Sequence, residues 1–585
     1  MVYDIVSIIC RLEVEVRPLM MIQNYLLART FENRGYTQEF LDNLDDPSYG
    51  QLGNLELFLQ TLRGVYDRRD LIILLPDFDM DGIMSGCCGF AALAELGFRV
   101  GLFALTPADG YGFTADTIDR VRQAYPDARA ILTSDVGVSC HDGVAAAKAA
   151  GMTVLVTDHH KPPDVLPAAD VIVDPMLNGD TYEHGAICGA FVLYQCMQAY
   201  ANRYCDRRVQ EQIRRLRVFA GIGTISDSMP LVYENRQIVR DAGAISRLVF
   251  SGGSDYIVKN IPGTPVYQSA FRGLYELYLR LSTVGRIHDS EDIDEQLFGY
   301  YLAPMFNSVK RMDGDLRRAF GVFFGQTQAD DVSYLYDLND RRKQTVSDAI
   351  ADMAKFDQPF APYIYFSTAS LGILGLLAQR LLIDNDKPCI VVAQQPDGSF
   401  KGSGRSFDWY PFLSRTKGLK YYAGGHETAF GVKFRNLFEV QELRDFLKTD
   451  LRAVLSSLPA GTLSVKPDFV IDHNGTGDTV IDILAFVEYM EELKRFKPFG
   501  HGFPEPSIAL RFRPEEAEWK QMGSVRQHLK LELPRGLEVL LWNQGPKIKL
   551  QGNTGQDLVV MGHLGRSEFR GIETVNFTGV LQDVE

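Results

Sequence analysis

Short apolar runs that each stop at an acid dominate the first half of the chain. RDLIILLP leads into Asp77, ARAILTS into Asp135, GMTVLVT into Asp158 and His159, and ADVIV into Asp174. Between them, GFAALAELG and DGVAAAKAAG carry small and apolar residues in helix-like segments. Buried runs of strand length alternating with helices predict a parallel sheet covered on both faces. Upstream, residues 20–66 read as helices, with LELFLQTLRGVY at helical spacing. Residues 240–345 are mainly helical and end in a charged stretch, DLNDRRKQTVSDAIADMAKF, expected to form a long connecting helix. APYIYFS, LGILGLLAQRLL and PCIVVAQQ open a second α/β unit, followed by the glycine-rich GSFKGSGRS and YYAGGHETAFG. From about residue 465 short strands and turns prevail, as in SIALRFRP, HLKLELP and DLVVMGHLG. That spacing predicts a small β-barrel or sandwich.

The chain has 585 residues, which at roughly 100–200 residues per domain implies three or four units. A hydrophobic content of 46% fits a globular protein. No apolar run reaches the roughly 18 residues of a membrane span, and the N-terminal stretch has no basic region of a signal peptide. The eight cysteines form no CxxC or Cys/His pattern, which reads as reduced, cytoplasmic usage without a zinc site. A net charge of −15 argues against indiscriminate attraction to nucleic acid but leaves room for a local basic channel.

The stretch PDFDMDG holds Asp77, Asp79 and Asp81 at alternate positions. It matches the start of an EF-hand loop, but the twelfth position is Cys88 instead of the required Glu, and a strand precedes it. A lone acidic turn would be an ordinary solvated feature. Ligands of parallel α/β sheets, however, bind outside the carboxyl ends of the strands. Asp77, Asp79, Asp135, Asp158, His159 and His160 all reach that edge, and Asp227 arrives in GTISDSMPL. Carboxylates with imidazole and no thiolate favour Mn²⁺, with Mg²⁺ as the alternative. The carboxylates suffice for two ions about 4 Å apart, the arrangement of two-metal phosphoryl transfer.

PDFDMDG, TSDVGVS, TDHHKPP and GTISDSMPL resemble the four successive motifs of the DHH phosphoesterases. KGSGRSF and AGGHETAFG resemble the companion DHHA1 domain, and PFGHGFPEP resembles the opening of the OB-fold of the RecJ single-stranded DNA exonucleases. APMFNSVKRM is similar to the interdomain segment of that family. The resemblance implies an α/β protein with a DHH catalytic domain over 1–240 that includes the N-terminal helices. A helical connector over 241–357, a smaller DHHA1 domain over 358–460 and an OB-fold over 461–585 would follow. One ion would be held by Asp79, Asp135, His159 and Asp227, the other by Asp77 and a bridging Asp135. Asp158 would orient His159, and His160 would face the scissile phosphate. Asp79, Asp135, Asp158, His159 and His160 are thus the expected catalytic set. Asp81 is either a ligand or, with Gly82, a cap of the following helix. In the second domain Arg405, Ser406, Gly424, Gly425 and His426 would hold the nucleotide end.

The implied activity is metal-dependent 5′→3′ hydrolysis of single-stranded DNA to 5′-mononucleotides, in DNA repair and recombination. The implied protein is a cytoplasmic monomer that meets its strand beside a helicase or a single-strand-binding protein. The rival readings are a phosphodiesterase for short oligonucleotides or cyclic dinucleotides, and a non-catalytic DNA-binding scaffold. Three features depart from the family. Some relatives have a histidine where Ile73 stands, Phe430 replaces a usual alanine, and Thr368–Ser370 replaces a common Trp-His pair. In the C-terminal unit, Lys520, Arg526, Lys530, Lys547, Lys549 and Arg570 with Trp542 and Phe569 are candidates for a cationic, stacking surface.

Overall fold

A computed structural model of the chain describes residues 24–45, 51–105, 112–180, 182, 186–457, 467–472, 483–522, 528–534, 537–542, 557–569 and 572–582. Two compact units emerge. Described residues from 51–229 and 238–457 form one, and those from 24–45, 230–237 and 467–582 form the other.

The first sheet of the larger unit has five strands: β1 (Leu71–Pro76), β2 (Arg99–Leu102), β3 (Ala128–Ser134), β4 (Thr153–Thr157) and β5 (Val171–Val173). Their order is β2-β1-β3-β4-β5, and every neighbouring pair is parallel. β1 is buried from Ile72 to Pro76 and β4 from Val154 to Thr157, as strands covered on both faces must be. The register aligns the strand ends: Pro76 pairs with Ser134, Ser134 with Thr157, and Thr157 with Val173. β1 lies between β2 and β3, so the strand order turns back beside it, the usual place for a ligand crevice. Helix α1 (Met80–Glu95) follows β1 and is buried over most of its length. It packs against α2 (Gly189–Tyr204) and α3 (Arg217–Ser226).

Helices then carry the chain to a second sheet, including α4 (Ala303–Arg311) and the 26-residue α5 (Gln328–Met353) anticipated from the charged stretch. That sheet runs β6-β7-β8-β10-β9, from β6 (Ile364–Phe366), β7 (Cys389–Gln394), β8 (Phe400–Arg405), β9 (Tyr422–Gly425) and β10 (Ala429–Phe434). β6 and β7 are parallel and joined through α6 (Leu371–Asn385), and the other pairs are antiparallel. Phe430 belongs to the core under this sheet. It stacks on Phe412 at 3.9 Å and 14°, and its ring fills the space above Gly404, where a Cβ would collide with it. The departure from alanine is therefore a matter of packing, not of strand chemistry.

The smaller unit holds a seven-stranded sheet, β11-β12-β16-β17-β15-β14-β13. Its strands are β11 (Phe469–Asp472), β12 (Ile508–Phe512), β13 (Glu518–Met522), β14 (His528–Glu532), β15 (Glu538–Leu541), β16 (Leu558–Phe569) and β17 (Ile572–Gln582). The N-terminal helices Tyr25–Asn33 and Gln38–Asp42 belong here and not to the first sheet, which corrects the expected 1–240 domain. Their Leu27, Phe31 and Leu41 enter one core with Phe496, Phe503, Leu510, Val539 and Phe577. Periodicity identified the helices but could not tell which sheet their apolar stripe would cover.

Arg236 is completely buried in this unit. Its guanidinium bonds Asp45 at 2.8 Å, Pro498 O at 2.6 Å and Phe496 O, and lies 4.8 Å above the Phe503 ring. It thereby ties the 230–237 segment to three other stretches of the unit. Arg236→Ala removes these charged hydrogen bonds from the interior, so a loss of about 3–5 kcal/mol is expected. Urea unfolding followed by the Trp519 and Trp542 fluorescence of this unit measures it.

Candidate metal centre and phosphate-binding face

The strand ladder continues one residue beyond the first sheet. Asp77 N–H donates to Ser134 O, Asp135 N–H to Thr157 O, and Asp158 N–H to Val173 O, each at 3.1 Å. Asp77, Asp135, Asp158 and Asp174 therefore form a row across four strand ends. Asp77, Asp79 and Asp135 bring one oxygen each within 4.8 Å of one another, as do the ligand atoms of Asp81, His159 and Asp227. At an effective dielectric near 20, each like-charged pair at about 4 Å costs on the order of 4 kcal/mol. Such a cluster needs protons or cations.

Burial, reinforced by Asp79, pushes Asp77 up to about 7. Burial and neighbouring acids raise Asp135 well above the usual carboxylate range. Burial, opposed by His159, takes Asp81 to about 6, and burial with Asp79 takes Asp227 to about 6. Asp77 Oδ1 and Asp135 Oδ1 are buried and accept no hydrogen bond. His159 Nε2 sits 3.1 Å from Asp135 Oδ1, 3.7 Å from Asp227 Oδ2 and 3.9 Å from Asp81 Oδ2. Burial lowers the His159 pKa and favours the neutral, ligating imidazole. Hard oxygen donors with one nitrogen, some of them orphaned in the interior, fit divalent cations of the Mn²⁺ or Mg²⁺ kind.

Local backbone explains the arrangement. Asp79 caps α1, its Oδ1 accepting from Gly82 N–H at 3.2 Å. Asp81 instead caps α2, accepting from Gly189 N–H at 2.7 Å and Ala190 N–H at 3.3 Å. The cap is real, but it serves a different helix from the one expected. Asp135 adopts a left-handed φ of 61°, a strained state that Asp tolerates better than most residues. Gly189 leaves it room, since a Cβ there would lie 2.5 Å from the Asp135 side chain.

Asp158 does not hold the His159 ring. Its Oδ1 accepts from His160 Nδ1–H at 2.8 Å and from the His159 and His160 amides, and its Oδ2 accepts from Val138 N–H. Against burial, this bond raises His160 to about 9. Asp158 therefore positions His160, a correction to the expected pairing with His159. Alternation could place both histidines at the edge but not decide which ring turned toward Asp158. Asp174 is buried and raised to about 7, chiefly by burial, and its Oδ1 accepts from Met176 N–H.

Facing the acids is a group of arginines, two of them absent from the expected set. Arg311 ends α4, and burial together with Arg342 and Arg405 lowers it to about 10, while Asp79 acts in the other direction. It is ion-paired with none of the described residues. Arg342, on α5, bonds only the Asn339 side chain, and Arg405 bonds Ser403 Oγ at 3.1 Å and Gly404 O at 2.8 Å. Three desolvated guanidiniums without carboxylate partners among the described residues are chemically suited to an anion. The Lys-Arg of SVKRM and the Arg-Arg of NDRRK were visible signals, but helical spacing alone gives such charges a solvated face.

The other expected contacts divide. Gly424 and Gly425 end β9, which is separated from the Arg405 strand by β10, and Gly425 has a φ of 125° that disfavours other residues. His426 is exposed in the following turn. Ser406 is buried, and its hydroxyl donates to Tyr410 O at 2.7 Å, so it builds the loop instead of facing a ligand. In the smaller unit Lys520 pairs with Glu532 and Lys530 with Glu538. Trp542 is half exposed. Arg526, Lys547, Lys549, Arg570 and the Phe569 side chain lie outside the described residues.

Residues 71–222 match the model of the DHH family, N-terminal domain, and residues 483–579 that of the RecJ OB domain. A single-stranded-DNA-specific exonuclease RecJ of Haemophilus influenzae is 25% identical over 553 residues, covering 88% of this chain and 87% of its own. The same-named protein of Dickeya dadantii is 28% identical, covering 83% and 84%. This chain is a RecJ-like protein of the DHH superfamily. In fold it is similar to the Thermus thermophilus RecJ crystallised with Mn²⁺, with a TM-score of 0.71, 23% identity and coverage of 96% of this chain and 76% of that one.

The raised carboxyls give the RecJ-like centre a pH signature. Asp77, near 7, is largely protonated at pH 6.5, and burial with neighbouring acids raises Asp135 as well. A cation must displace these protons, so Mn²⁺ affinity should rise with pH through the 6–7.5 range and then flatten. Calorimetry of Mn²⁺ binding at pH 6.5 in buffers of different ionisation enthalpy should show net proton release. The Asp77→Asn, Asp135→Asn double variant should lose it.

Proposed function

We propose that the chain is a metal-dependent exonuclease that degrades single-stranded DNA from the 5′ end to 5′-mononucleotides. The observation that carries this reading is the opposition of a buried acidic row, with His159 and His160, to the unpaired Arg311–Arg342–Arg405 face. Proteins similar over most of the chain are named single-stranded-DNA-specific exonucleases.

Asp79, Asp135, His159 and Asp227 would hold one divalent ion, and Asp77 with Asp135 would hold a second, Mn²⁺ by preference and Mg²⁺ as the alternative. When bound, such ions activate water and neutralise charge on the phosphate. Charged His160 donates through Nε2–H to a non-bridging oxygen of the scissile phosphate, held in place by Asp158. Arg311 binds the same group from the other side. Arg405 and Arg342, with the Gly424–Gly425 backbone and His426, hold the terminal phosphate and so set the 5′ polarity. The OB unit adds affinity for the strand. The protein works as a cytoplasmic monomer in repair and recombination, on strands exposed by a helicase or held by a single-strand-binding protein.

Strands labelled at the 5′ or the 3′ end, incubated with Mn²⁺, test the activity. The 5′ label should appear at once as a mononucleotide and the 3′ label only late. Asp79→Ala should lose more than about 100-fold, beyond the usual cost of disturbing a ligand's supporting partner. Arg311→Ala should lower kcat/KM about 10–100-fold, as expected for a charged hydrogen bond. Strands that bind but survive with every divalent ion would show a scaffold instead.

A further inference from the structure

The two ends of the acidic row are not equivalent. Around His159 the centre gathers Asp81, Asp135 and Asp227 with a ring nitrogen. Around Asp77 the grouped ligand atoms are those of Asp79 and Asp135, and Ile73, four residues earlier on β1, is buried and offers no donor. This poorer end also has a cation beside it. Lys310, on the last turn of α4, places its Nζ 4.3 Å from the centre of the Phe78 ring, between Asp77 and Asp79 in sequence.

The ammonium stands on a fixed support. Asn307, one turn earlier, accepts from Met80 N–H at 3.0 Å, and Met305, Phe306 and Val309 are buried beneath. Lys310 itself is exposed and forms no ion pair with a described residue. An ammonium over an aromatic face is attracted by the ring quadrupole. Here that charge is set against a position where a divalent cation must bind.

Resting on the metal-dependent reading above, we propose that Lys310 sets the affinity of the Asp77 position for its divalent cation. Repulsion from the ammonium keeps this position weak while the His159 position fills. An arriving phosphate attracts the ammonium, cancels its charge and supplies oxygen to the ion. Lys310 is thus a positioning residue acting through the second ion, and it couples full metal occupancy to the presence of a strand.

Free Mn²⁺, followed by its electron paramagnetic resonance signal, is titrated into wild type, Lys310→Gln and Lys310→Arg without DNA at low ionic strength. Wild type should show one tight and one weak ion. Lys310→Gln should tighten the weak ion about three- to ten-fold and leave the tight one unchanged, the size of effect expected for removing one charge from a partly solvated site. Lys310→Arg should keep the wild-type weak constant. Lys310 is exposed, so neither variant disturbs the core. Equal weak constants in wild type and Lys310→Gln would overturn the proposal and leave the metal centre standing. If wild type takes up no Mn²⁺ at all, the metal centre falls and this proposal with it.

Discussion

Three backbone hydrogen bonds beyond the strand ends, from Asp77, Asp135 and Asp158, govern the chemistry of this protein. They hold acids in line that would separate if the chain were free. Each bond depends on the register of a parallel ladder, and the ladder depends on strands buried on both faces. The apolar core thus supplies the rigidity against which the carboxylates are forced together. The consequence is electrostatic: raised carboxyls, a neutral His159, and a site that only protons or cations relieve.

The second sheet answers this with positive charge. Arg405 ends β8, Arg311 ends α4 and Arg342 lies on α5, so the three guanidiniums come from separate elements and meet without carboxylate partners. An acidic row suited to cations, together with guanidiniums suited to anions, is chemically complementary to a phosphate accompanied by metal, the guest of the proposed function. His160 belongs chemically with the second group, since Asp158 keeps it charged within the acidic row. The chain's overall charge of −15 says nothing of this local field.

The first sheet was legible because its signal is local. An apolar run that ends in an acid states both the strand and the residue at its mouth, and Asp77, Asp135, Asp158 and His159 were placed that way. Asp227 came from the resemblance of its motif to a family, and the structure brings it to His159. What was not legible depends on orientation or on distant packing. Which histidine Asp158 bonds is decided by ring direction, not by position. Asp81 caps α2, more than a hundred residues away, a pairing no local pattern contains. Ser406 lies in a phosphate-like motif, yet its hydroxyl closes its own loop. Arg311 and Arg342 sit on helices where charge ordinarily means solvent. The N-terminal helices were visible as helices, but the core they join lies at the other end of the sequence.

The most direct test of this account is anomalous diffraction from crystals grown with Mn²⁺ and a single-stranded oligonucleotide. The account predicts two peaks about 4 Å apart with Asp135 between them, one beside His159 and the other beside Asp77. A lone peak away from the strand edge, or peaks that Asp135 does not bridge, would contradict the claim that the aligned strand ends build the centre.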